Sequence, residues 1–136
     1  MQLKITTDYA IRILLCLYAN EGMVPSPTIA KEMGIPPNYV LKISRQLVKA
    51  NLVKPISGKG GGLQICKSAS DVTLWDVVSA IENTTKLNRC LEADRYCSRN
   101  AVDTCPVRKY YCTVQETYEN SLKGVTMKQL FDGEWN

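Results

Sequence analysis

Apolar positions recur at helical spacing in three separate runs along the first half of the chain. Tyr9, Ile11, Leu14, Leu15 and Tyr18 predict a first helix from about Thr7 to Ala19. In VPSPTIAKEMG, Ser26 is placed to cap and Pro27 suits the first helical position. Ile29, Ala30 and Met33 then form an apolar stripe, and Gly34 is a natural stop. PNYVLKISRQLVKAN sets Val40, Ile43, Leu47 and Val48 on one side of a third helix, with Asn51 as its left-handed terminator. The period then changes, because LVKPISGKGGGLQIC reads as two short strands around SGKGGG, a hairpin with Lys59 at its tip. Thr73 and Asp76 are spaced as a capping box for a fourth helix that buries Leu74, Val77, Val78 and Ile81.

Residues 83–105 show no period, and a connection of that length is usually functional or disordered. From Pro106 onward, Val107, Tyr110, Tyr111, Val114, Tyr118 and Leu122 recur along a helix that ends at Gly124, and VTMKQLF adds one more capped turn. This helix offers more apolar and aromatic surface than one small domain covers, which predicts a dimerisation helix; packing onto its own domain is the alternative. The expected fold is mainly α with a small β-hairpin wing. Its divisions are a winged helix-turn-helix over 1–83, a Cys-rich sensor loop over 84–105, and the dimerisation helix with its C-terminal turn over 106–136.

Charge sharpens this division. The net charge is +4, but residues 1–70 carry +6 (9 cations minus 3 anions) and residues 71–136 carry −2 (8 minus 10). A basic half followed by an acidic half points to a polyanion-binding face joined to a part with another task. Histidine is absent, which removes the commonest general base and every His-containing nucleophile or zinc motif, so an enzyme is not expected. TTDYAIRILLCLYANEG carries Asp8 and Arg12, is too short to span a bilayer, and lacks a cleavage-site pattern. The expectation is therefore a cytoplasmic protein with no membrane partner. In that compartment thiols stay reduced, and clustered cysteines mark metal or redox chemistry more often than structural disulfides.

Asn38, Lys42, Arg45 and Lys49 follow one another at spacings of four, three and four and line one face of the third helix. Two short helices joined by a tight turn, the second with a cationic, amide-bearing stripe, match a helix-turn-helix whose recognition helix enters the major groove; the stripe alone equally suits a solvated face. The hairpin that follows shifts the balance. Four glycines in five positions let backbone approach a phosphate or a narrow groove while Lys59 supplies charge. A phosphate-binding P-loop is excluded, since the required glycine position holds Val53.

The ordered set TTDYAIRILLCLY, IAKEMGIPPNYVLKISRQLVKANLV, SGKGGGLQI, VTLWDVVSAIE, a Cys-rich loop and CPVRKYY resembles the IscR/NsrR/CymR group of bacterial winged-helix transcription regulators over nearly the whole chain. The resemblance implies a homodimer crossed through the long C-terminal helices and bound to a pseudo-palindromic double-stranded DNA operator, as a repressor. It places Asn38, Tyr39, Lys42, Arg45 and Gln46 within reach of bases or phosphates, and Ser57, Gly58, Lys59 and Gly60 at backbone or minor groove. Arg45 suits guanine, and Asn38 and Gln46 suit adenine. Pro36-Pro37 stands where the family usually has a Ser-capped start. Lys59 stands where proline is frequent, which adds a phosphate contact and salt dependence.

In many members the loop before the long helix carries three cysteines that bind an iron–sulfur cluster, and Cys90, Cys97 and Cys105 occupy that loop here. Their spacing, C-x6-C-x7-C, is slightly longer than in the cluster binders, a change that costs well under about 1 kcal/mol in loop closure. Asp8 of the partner subunit matches a carboxylate fourth ligand, although a carboxylate also suits a helix N-terminus for its dipole alone. Arg108 stands where another subgroup has a histidine, and arginine cannot ligate iron. Cys112 is the rival fourth ligand, with a helical rise of about 10 Å from Cys105 against it. Whether a cluster would be 2Fe-2S or 4Fe-4S is open. So are zinc, for which paired C-x2-4-C knuckles are missing, a thiol/disulfide switch without a cluster, and inert cysteines. Control by a protein partner is the remaining alternative. Cys16, Cys66, Trp75 and the tyrosines of the last long helix read as packing residues.

Overall fold

The computed structural model describes residues 2–135. Six helices and one hairpin follow in the order α1 (Ile5–Ala19), α2 (Ser26–Met33), α3 (Pro37–Lys49), β1 (Val53–Ile56), β2 (Gly62–Ile65), α4 (Leu74–Ile81), α5 (Pro106–Lys123) and α6 (Met127–Asp132). The fold is mainly helical with a two-stranded antiparallel wing, as the pattern of periods predicts.

One core holds the first three helices, the wing and α4 together. Ala10, Ile13, Leu14 and Leu17 of α1 meet Ile29 of α2, Val40, Ile43 and Leu47 of α3, Val53 and Leu63 of the hairpin, and Val77 and Ile81 of α4. Burial of apolar surface at about 25 cal/mol per Å² makes this the main source of stability. Met127 of α6 is completely buried in the same core, so the chain returns to the first four helices after the long helix. Two strand-like bonds fix that return: Leu74 N–H donates to Val125 O at 3.0 Å, and Met127 N–H to Val72 O at 2.8 Å.

Local signals explain most element ends. Thr73 and Asp76 form the expected reciprocal capping box, and Thr126 with Gln129 forms another at α6. Asn51 takes the left-handed conformation, φ 59°, just beyond α3. Three expectations are corrected. The cap of α2 is Pro25, not Ser26, and Ser26 and Pro27 occupy the first helical positions; Pro25 already holds the extended backbone that a cap requires. Helix α1 begins at Ile5 rather than Thr7, because Glu82 supplies a distant cap: its carboxylate accepts the Lys4 amide at 2.7 Å and the Thr7 hydroxyl at 3.0 Å. Cys66 is exposed, since the strand ends at Ile65 and no longer directs the next side chain inward.

The wing is also more than a hairpin. Val24, just before α2, pairs with Leu63 in both directions, at 2.8 and 2.9 Å. Its backbone passes so close to Gly62 that a Cβ there would lie 2.1 Å from Val24 O, while a Cβ at Gly61 would lie 2.1 Å from Ile56 O. Gly58 and Gly60 have positive φ. The four glycines are thus demanded by the wing's own geometry, whatever it touches.

Candidate nucleic-acid interface and cysteine site

The apolar side of α3 is turned into the core, so its polar side has to face outward. Asn38, Lys42, Arg45 and Lys49 are exposed along that face, whereas Tyr39 and Gln46 are half-buried beside it. Tyr39 packs edge-to-face on Tyr9 at 5.7 Å, and the Arg12 guanidinium stacks on the other ring at 5.4 Å. Ser57, Gly58, Lys59 and Gly60 are all exposed at the wing tip. Helix and wing frame a groove of about 480 Å³ in which Arg45 and Ser44 stand across from Ser57 and Gly58.

One groove residue was missed from the pattern. Leu41 is 54% exposed, on the polar side of α3 between Asn38 and Arg45. The signal was available, since position 41 falls outside the buried stripe of Val40, Ile43 and Leu47.

The Cys-rich loop runs from the end of α4 to the start of α5 through a 3₁₀ turn at Arg89–Leu91. Ion pairs Arg89–Asp94 and Arg95–Asp103 fold it on itself, and Arg89 stacks on Tyr96 at 5.4 Å. Cys90, Cys97 and Cys105 line one cavity of about 280 Å³ at the start of α5, with Tyr96, Arg108 and Tyr111 among its walls. Among the described residues no three Cys, Asp or Glu side chains stand close enough to hold one metal ion, so the thiols share a cavity without converging on a point.

Two of these sulfurs accept a hydrogen bond, and the third is shifted by nearby backbone N–H groups. Asn88 Nδ2 donates to Cys90 Sγ at 3.4 Å. Cys105 caps α5, its Sγ accepting the Arg108 amide at 3.4 Å. Backbone N–H groups of Ala101 and Arg99 hold the Cys97 thiol below its ordinary pKa. Amide donors to sulfur favour thiolate and tune bound iron, so the donor set fits an iron–sulfur cluster.

Of the two fourth-ligand candidates, Asp8 is expected from the partner subunit and Cys112 from the same chain. Asp8 pairs with Arg12 at 2.7 Å on the first turns of α1 and borders a separate shallow cavity with Leu3, Ile5 and Ile11. Helix α5 starts at Pro106, immediately after Cys105, so the rise of about 10 Å to Cys112 stands. Cys112 does not line the cysteine cavity. Cys16 is buried, and burial together with its bond to Glu32 pushes its thiol up to about 11.

No helix among the described residues is long and apolar enough to cross a membrane. Comparison with known proteins agrees with this geometry. Residues 3–133 match the family model Rrf2, iron-dependent transcriptional regulator. The protein aau3 of Rhizobium meliloti is 32% identical over 131 residues, which cover 96% of this chain and 84% of that protein. Among solved structures, CymR, the global cysteine regulator of B. subtilis, superposes with a TM-score of 0.79 at 21% identity over 97% of both chains. IscR of T. potens gives a TM-score of 0.77 at 19% identity, covering 99% of this chain and 89% of that one. The family is one of transcription regulators rather than enzymes, and the chain belongs to it: an Rrf2 transcriptional regulator over nearly its whole length.

Proposed function

We propose that this protein is a homodimeric, sequence-specific repressor whose operator affinity is set by an iron–sulfur cluster held by Cys90, Cys97 and Cys105. The observation that carries the reading is the single cavity lined by all three thiols at the first turn of α5. When bound, a cluster supplies a reversible crosslink sensitive to iron, oxidants or nitric oxide. Asn38, Lys42, Arg45 and Gln46 of α3 read the major groove, with Leu41 offering apolar surface to a thymine methyl. Ser57, Gly58, Lys59 and Gly60 follow the backbone or minor groove.

The chain's own architecture provides the coupling. Helix α5 spans 18 residues, about 27 Å at ~1.5 Å per residue. One end forms a wall of the cysteine cavity. The other runs into Val125–Met127, which is bonded to Val72–Leu74 at the entrance of α4, and α4 packs on α3. A change in the loop that shifts the first turn of α5 therefore reaches the recognition helix through covalent and hydrogen-bonded connections. About 1.4 kcal/mol of differential stability is enough for a tenfold change in affinity.

Anaerobic isolation with a visible spectrum and iron and sulfide assays tests the cofactor. Titrating a palindromic operator with the cluster-loaded and cluster-free protein tests the control, and equal affinities would refute it. A thiol/disulfide switch is the second reading, favoured by the lowered pKa of Cys97 and by the absence of a converged metal site among the described residues. It predicts oxidant-dependent operator binding in protein that contains no iron.

A further inference from the structure

Arg108 stands on the first turn of α5 with its two halves on different cysteines. Its backbone N–H donates to Cys105 Sγ at 3.4 Å. Its side-chain Nε donates to the Cys90 carbonyl at 3.1 Å, across a separation of 18 residues. No other side-chain bond among the described residues joins the Cys90 turn to the start of α5.

The charges around the cavity are unequal. Two arginines line it. Arg89 is neutralised by Asp94, and the neighbouring Arg95 by Asp103. Arg108 pairs with no carboxylate among the described residues, although it is half-buried. The Arg108 guanidinium, the Arg99 charge that helps to lower the Cys97 thiol, and the N-terminus of α5 therefore leave positive potential at the cavity that holds Cys90, Cys97 and Cys105. A cation that cannot lose its proton favours thiolates and any anionic thiolate–metal assembly beside it.

We propose that Arg108 is the positioning residue of the cysteine cavity: it clips the Cys90 turn onto the start of α5, and its unpaired charge supports the thiolates gathered there. This rests on the reading of Cys90, Cys97 and Cys105 as the sensor thiols, and on nothing about which metal they meet. An arginine in this place has a second consequence. Because it links loop and helix directly, the cavity keeps its shape in the metal-free protein.

The test uses metal-free full-length protein with cadmium(II) alone as the probe, read by thiolate-to-metal absorption, alongside hydrogen exchange of the peptide containing Cys90. Arg108→Ala is expected to raise exchange of that peptide and to weaken cadmium binding, each by roughly tenfold, the size expected for a lost hydrogen bond from a charged donor. Arg108→Lys, which keeps the charge, is expected to recover the cadmium affinity. A role confined to holding α5 together would make Lys and Ala behave alike toward cadmium. Arg108→Ala indistinguishable from the wild type in both readouts, or Arg108→Lys as weak as Arg108→Ala toward cadmium, overturns the proposal. The cluster reading fails separately, through absence of iron and sulfide from anaerobically isolated protein, and leaves these measurements standing.

Discussion

The Leu87 amide donates to Gln115 Oε1 at 2.7 Å, and Gln115 is the buried residue of α5. Its Nε2 serves Thr85 O at 2.9 Å and Glu119 Oε1 at 3.0 Å. One amide side chain therefore fastens the start of the Cys-rich loop to the middle of the long helix. Glu119 continues the fastening. Its carboxyl is held below the usual range first by Gln115, then by Lys86 at 3.2 Å and Lys123 at 3.4 Å. Gln115→Ala leaves the Leu87 N–H and the Thr85 carbonyl unpaired, a loss of about 1–3 kcal/mol. Urea unfolding should show a lower midpoint, and hydrogen exchange should rise at Leu87 before it rises in the core.

Gly62 and Val24 make a sharper prediction, since both atoms in conflict are backbone or fixed to it. Gly62→Ala has to separate β2 from the Val24 segment and so breaks the paired bonds between Val24 and Leu63. Gly58→Ala meets open space and pays only for its left-handed backbone, about 1–2 kcal/mol. Thermal unfolding should rank Gly62→Ala as the more damaging, with DNA affinity falling in parallel. Equal effects would mean that the wing does not need this close approach.

The reading face separates into two kinds of contact. Arg45 stands in the groove between α3 and the wing, where a bidentate bond to guanine is worth about 1–3 kcal/mol of discrimination. Lys59 is exposed at the wing tip, where the proposed reading gives it a phosphate contact. Arg45→Ala should flatten the ranking of operator variants in a competition assay. Lys59→Ala should weaken all duplexes alike and reduce the salt slope of binding by about 0.9.

What was legible in the chain was what local chemistry decides. The capping box of Thr73 and Asp76, the left-handed Asn51 and the core stripe of Val40, Ile43 and Leu47 each follow from residues within a turn of one another. The start of α1 was not, because its cap, Glu82, lies 78 residues from Lys4. Neither was the destination of α6. Its apolar pattern is visible, but only the folded chain places Met127 in the core formed by the first four helices and the wing. In the wing the glycines were plain and their reason was not, since the contact that forbids a Cβ at Gly62 comes from Val24. The three thiols stand out by their clustering and the family likeness, and the folded chain sets them around one cavity; the bonds of Arg108 and Asn88 around them depend on loop turns that carry no period.

Two buried groups on α1 set the alkaline limit of stability. Burial, reinforced by Glu32, pushes the Cys16 thiol from 9.0 to about 11. Burial pushes the Tyr18 hydroxyl from 10.0 to about 12, and that hydroxyl finds no hydrogen-bond partner among the described residues. The unfolded chain releases both protons earlier than the folded one, so their contribution is complete below about pH 9 and is lost as pH climbs toward the folded values. Tyr18→Phe removes an unpaired buried donor and should gain about 1 kcal/mol at neutral pH. It should also flatten the fall in stability above about pH 10, leaving the part that belongs to Cys16. Urea midpoints measured from neutral to strongly alkaline pH check both; a steep, unaltered fall in the variant would assign it to other groups.

The proposed homodimer puts its seam on the exposed side of α5. Val107, Tyr110 and Val114 are 54%, 68% and 37% exposed and lie three and four residues apart, so they share one face of the helix. Gln115, about 100° round the helix from Val114, is held against the loop by its bonds, and Val107 and Val114 border cavities beside that loop while staying open to a second copy along with Tyr110. A second copy crossing there would remove a tyrosine and two valines from water on each side, at roughly 1.5–3 kcal/mol per large side chain. Placing Asp at both 110 and 114 reverses that gain and sets like charges against each other across a two-fold axis. Sedimentation should then show the monomer at concentrations where the wild type is dimeric. Affinity for a palindromic operator should drop by more than tenfold, while binding to a single half-site stays as it was. A variant that still sediments as a dimer would show that α5 does not form the seam.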